Sequence, residues 1–149
     1  MSEKEPKLFE KSVFDSLALP FPLRKYQQEG VSFLFRSESA LLADEMGLGK
    51  TVQTIVALRL LIARGQRFRV LIVTPKSLRL NWFRESRLWA PRLPVKVVSG
   101  NASNRLAAYA LPTPILIATY DQIAIDWRTI LNNGDVFDIV ILDEAQRIK

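Results

Sequence analysis

The sequence contains neither cysteine nor histidine. Disulfide frameworks, thiolate nucleophiles, imidazole bases and the usual zinc ligands are therefore all excluded. No apolar run approaches the ~18 residues that a membrane-spanning helix needs; pure runs such as 70–73 and 139–142 are strand-length. The opening residues, MSEKEPKLFEKS, are charged and lack the apolar stretch of a secretory signal. Acids are also scarce in one place. Between positions 59 and 105 Glu85 stands alone against eleven Lys and Arg, whereas the rest of the chain carries ten basic and fourteen acidic residues. A basic middle on an acidic frame suits a polyanion partner, and it equally suits solvated helix faces.

What is present suits one folded domain. The chain has 149 residues, of which 48% are hydrophobic and 24% charged. A chain of that size buries about 68–70% of its unfolded surface. Residues 1–20 are polar and then punctuated by Pro20 and Pro22, which reads as a flexible lead-in. From residue 21 to 149, short apolar runs at 39–43, 69–74, 95–98, 115–118 and 138–142 alternate with helix-length stretches at 24–35, 50–63, 77–89, 102–110 and 121–132. Consecutive apolar positions rich in β-branched residues predict strands buried on both faces, as a parallel sheet requires. The alternation predicts an α/β fold, a mostly parallel sheet with helices on both faces.

The strongest local signal is ALLADEMGLGKT at 40–51. A buried strand runs into a loop holding Gly47, Leu48 and Gly49, and then Lys50 and Thr51 open a helix. Glycine lets the backbone approach a phosphate and take conformations closed to other residues. A helix start supplies free N–H groups and the positive end of a macrodipole. Lys50 suits the terminal phosphates, and the Thr51 hydroxyl suits a magnesium ion. The general pattern asks for Gly at position 44, where this chain has Asp44. A second signal, DIVILDEAQ at 138–146, ends a buried strand in two carboxylates. Asp143 suits magnesium, and Glu144 suits preparation of the attacking water. Carboxyl ends of parallel strands share one rim, so both signals are expected to act on one magnesium-bound triphosphate.

Together the strings LRKYQQEGVSFLF, LLADEMGLGKTVQTIVAL, VLIVTPKSLRLNW, ATYDQI and DIVILDEAQRIK resemble the Swi/Snf family of DNA-dependent ATPases, superfamily 2 helicase-related translocases of duplex DNA. The resemblance covers residues 23–149, and DEMGLGKT is itself family-typical, which accounts for Asp44. It implies a RecA-like P-loop NTPase lobe, with residues 21–149 forming the partial first lobe and ending after motif II. Its cofactors would be ATP and Mg2+, and its partners double-stranded DNA and a second RecA-like lobe.

Residue by residue, the resemblance gives Gln27 to adenine recognition; Gly47, Leu48, Gly49, Lys50 and Thr51 to motif I; and Asp143 and Glu144 to motif II. Motif Ia falls at residues 74–77 and motif Ib at Thr119 and Tyr120, both lining the DNA path. Lys76, Ser77 and Arg79, with Asn81, then suit phosphate contacts that carry no sequence readout. Trp82 and Trp89 stand among Phe83 and Leu88 at helical spacing and read as core rather than stacking platforms. In the family the second lobe supplies arginines worth about 10³–10⁵ in turnover, so the chain alone is expected to hydrolyse ATP negligibly. The lack of cysteine makes a reducing, intracellular setting the economical reading, cytoplasmic at the nucleoid in a bacterium or nuclear in a eukaryote. Two other readings stay open: a nucleotide- or DNA-binding scaffold without turnover, and a superfamily 2 RNA helicase lobe.

Overall fold

A computed structural model describes residues 11–36, 49–63 and 68–144, with side chains of residues 13–35 in the first segment. The chain divides into two units, residues 1–66 with 88–90 and residues 67–87 with 91–149. The first contains helices α1 (Lys11–Asp15), α2 (Lys25–Arg36) and α3 (Lys50–Ala63). Helix α3 buries Gln53 and then Ile55, Val56, Ala57 and Leu58 in succession. Burial around so much of its circumference marks a core helix rather than an amphipathic surface one. It lies close to α2 because Gly30 has no side chain: a Cβ there would stand 1.9 Å from Gln53 Oε1. Helix α1 lies inside the stretch read as a flexible lead-in. Its Phe14 is buried, a large apolar group that draws this turn into the core.

The second unit is built on strands β1 (Val70–Thr74), β2 (Val95–Val97), β3 (Ile115–Thr119) and β4 (Ile139–Leu142), all parallel, in the order β2-β3-β1-β4. A short 3-10 turn, Lys76–Leu78, leads from β1 into α4 (Arg79–Trp89), so the helix expected from residue 77 begins slightly later. Helices α5 (Ala102–Ala110) and α6 (Tyr120–Asn132) follow β2 and β3. Strands β1 and β3 are buried at every position, as their unbroken apolar runs predict. Strand β4 alternates instead, and Val140 and Leu142 are about half exposed. It pairs with β1 from Val70↔Ile139 to Val73↔Leu142. The expected strand at 39–43 lies outside the described residues.

On one sheet face Leu71, Val73, Leu116 and Ala118 pack with Tyr109 of α5 and Ile130 of α6. Beside them an open apolar groove of about 390 Å³ runs between α6 and β4, lined by Ile123, Trp127, Val140 and Leu142 among others. Helices α5 and α6 are joined by a buried polar group. Arg105 donates to Asp126 through Nε at 2.8 Å and Nη2 at 2.9 Å, and the Tyr109 hydroxyl donates to Asp126 Oδ2 at 2.9 Å. The Arg105 bond, joined by that of Tyr109, holds the Asp126 carboxyl below the ordinary carboxylate range, against the opposing effect of burial.

A carboxyl with a lowered native pKa contributes stability that is present above its unfolded value, ordinarily 3.8, and is lost as pH falls through the lowered native value. Asp126→Asn leaves Arg105 without its counter-charge. We expect the melting temperature at pH 7 to drop by roughly 5 °C or more, with a smaller difference between variant and parent near pH 2. Calorimetry across that range checks both.

Candidate functional site

In the first unit, the backbone around α2 places Gln27 at the start of α3. Gln27 Oε1 accepts from the Arg24 N–H at 2.9 Å, a side chain reaching back to close the start of α2. Its Nε2 lies 2.6 Å from where a Cβ at Gly49 would stand. Gly49 has φ +75°, a left-handed conformation that favours glycine, and its carbonyl accepts the Gln53 N–H at 3.0 Å in the first turn of α3. The structure thus brings together Gln27 and Gly49, the latter leading straight into Lys50 and Thr51 on α3. Gly47 and Leu48 lie outside the described residues.

In the second unit, three strand ends share one rim. The register sets Thr74 beside Thr119 and Val73 beside Leu142, and the Asp143 N–H donates to the Val73 carbonyl at 2.9 Å. Asp143 therefore leaves the sheet next to Thr74. Its carboxylate is held from two sides: Trp82 Nε1 donates to Oδ2 at 2.7 Å, and Thr74 Oγ1 donates to the same oxygen at 3.1 Å. The Tyr120 hydroxyl donates to the Asp143 carbonyl at 2.7 Å. Burial, and then the charges of Asp143 and Glu144, push that hydroxyl's pKa upward. Glu144 follows at φ +57°, an uncommon conformation for a non-glycine residue and one that sites of function often retain.

The remaining expected contacts separate into exposed and engaged. Lys76 and Ser77 are exposed on the 3-10 turn, and Arg79 opens α4 partly buried. Thr119 and Tyr120 have their hydroxyls committed inside the molecule. Thr119 Oγ1 accepts the Gln122 N–H at 3.2 Å while Gln122 Oε1 accepts the Thr119 N–H at 2.9 Å, a capping box that starts α6. Some of the basic middle is inward as well. Arg59 donates to the carbonyls of Leu17 and Trp89. Arg69 donates to those of Tyr109, Leu111 and Val136, with its guanidinium 4.6 Å from the centre of the Phe137 ring. The part of Trp82 escaped sequence reasoning. The one signal was chemical: an indole N–H in a core position must find an acceptor.

A family model described as the SNF2-related domain matches residues 26–149. The chain belongs to the SNF2-related family. A DNA excision repair protein ERCC-6-like from Bos taurus is 36% identical over 139 residues, covering 85% of this chain and 11% of that protein. An uncharacterized ATP-dependent helicase from Mycoplasma pneumoniae is 41% identical over 133 residues, covering 85% of this chain and 13% of that one. Among solved structures, the Sulfolobus solfataricus SWI2/SNF2 ATPase core in complex with dsDNA superposes with a TM-score of 0.76 at 29% identity, covering 95% of this chain and 29% of that one. The SNF2-related domain described here thus has the RecA-like lobe fold of that core, and it spans only about a tenth of the length of those two curated relatives.

Gly49→Ala combines a left-handed backbone with a contact on Gln27. We expect a loss of about 1–2 kcal/mol in urea denaturation. The loss should be smaller when Gln27→Ala is already present, because the steric part is then relieved.

Proposed function

We propose that this chain is the ATP-binding part of a Swi/Snf-type motor that translocates on duplex DNA. The observation that favours this reading most is the rim of the second unit, where Asp143 is held beside the ends of β1 and β3. In this reading Gln27 reads the adenine edge, its amide able to donate and accept. Gly47, Leu48, Gly49 and Lys50 take the phosphates, and Lys50 also steadies the charge that develops during transfer. Glu144 orients the attacking water.

Magnesium suits the donors available. It prefers carboxylate, hydroxyl, water and phosphate oxygens, and uses one or two carboxylates rather than an all-protein cage. Asp143 and Thr51 would hold it, and when bound it neutralises charge on the phosphate oxygens. Lys76, Ser77 and Arg79 contact DNA phosphates. Thr119 and Tyr120 border the DNA path, where their engaged hydroxyls leave contact to the main chain. A second RecA-like lobe, beyond these 149 residues, completes the catalytic set. The chain alone therefore binds ATP with negligible hydrolysis, and the whole protein works inside the cell, at the nucleoid or in the nucleus.

Binding of a fluorescent ATP analogue with magnesium tests the first part. Lys50→Ala should weaken it about tenfold or more, and Glu144→Gln should leave it nearly unchanged while abolishing hydrolysis in the full-length protein. Phosphate release by the full-length protein, assayed with duplex DNA and with structured RNA, tests the second. Stimulation by DNA is expected; stimulation by RNA alone would favour a helicase of RNA.

A further inference from the structure

Trp82 is 3% exposed, and its indole N–H is a donor with no acceptor role. The bond to Asp143 Oδ2, at 2.7 Å, is charge-assisted and short. Thr74 donates to that same oxygen. Both donors come from one β-strand and the helix after it: Thr74 closes β1, and Trp82 stands in the first turn of α4. Both bonds fall on Oδ2 and neither on Oδ1. With one oxygen tied to two donors of a packed core, rotation about the side chain of Asp143 is restricted and the direction of Oδ1 is set. The Asp143 carbonyl is fixed separately by Tyr120, so the residue is anchored through both backbone and side chain.

We propose that Trp82 is a positioning residue for cation binding at Asp143: its N–H, supported by the Thr74 hydroxyl, holds Oδ2 so that Oδ1 is presented to magnesium. This rests on the reading of Asp143 as the magnesium ligand. A merely structural tryptophan would need its ring packed and its N–H met by some acceptor, with no effect on magnesium binding. That effect distinguishes the two roles, and partners of this kind behind a metal ligand typically change metal affinity by about 10–100-fold when removed.

The experiment uses the whole chain, a fluorescent ATP analogue and a magnesium titration. Trp82→Phe keeps an aromatic ring and deletes the donor. Binding of the analogue in EDTA should be unchanged, while the magnesium concentration for half-saturation should rise about tenfold or more. Thr74→Val should shift it in the same direction by less. A Trp82→Phe chain with unaltered magnesium dependence, or one that loses binding equally with and without magnesium, overturns the proposal. Asp143→Asn separates the two layers. If it leaves the magnesium dependence unchanged, the reading of Asp143 itself fails; if it raises the requirement and Trp82→Phe does not, only the positioning role fails. Should Trp82→Phe not fold, the indole N–H resonance of Trp82 in the unaltered chain decides. A shift when magnesium is added to the ATP-bound chain supports the proposal, and an unmoved resonance overturns it.

Discussion

The parallel pairing of β4 with β1 is the constraint on which the rim of the second unit depends. Because Val73 lies opposite Leu142, the next residue, Asp143, emerges beside Thr74 with its N–H on the Val73 carbonyl. A slip of one residue would exchange the two faces of the strand and carry the carboxylate away from both of its donors. The register is protected by burial on the β1 side, where every position is enclosed. The acidic end of β4 thus inherits its placement from a neighbouring strand that is itself almost entirely hydrocarbon.

Much of this was legible in the sequence because the strands of a parallel sheet must be apolar at successive positions. The runs at 69–74, 115–118 and 138–142 stand out in the sequence and match β1, β3 and β4 to within a residue at each end, and α3 has the bounds that its periodicity and Gly49 imply. Boundaries shifted where a local hydrogen bond decided them. Helix α6 starts at Tyr120 because Thr119 and Gln122 close a capping box, and α4 starts at Arg79 because Pro75 turns the chain into a 3-10 segment first. Of the candidate site, the left-handed Gly49 before α3 and the two acids after β4 stand where their spacing in the sequence puts them.

The unread parts are those that depend on distant atoms. Nothing in the string NW tells that the indole of Trp82 meets a carboxylate 61 residues later, nor that the Tyr120 hydroxyl meets the carbonyl of that same residue. The fate of the arginines was equally hidden. Arg69 and Arg105 look like any cations of a basic stretch, yet one gathers the carbonyls of Tyr109, Leu111 and Val136 and the other neutralises Asp126. Charge composition records how many cations exist; only the folded arrangement tells which of them reach water.

That distinction limits how the basic stretch can engage a polyanion. Counter-ions are released in proportion to the phosphates that side chains actually neutralise. Of the eleven cations between positions 59 and 105, Arg59, Arg69 and Arg105 are tied to groups of the protein itself. At most eight remain to touch a phosphate from this stretch, so the ionic-strength sensitivity of such an encounter is shallower than its eleven cations suggest.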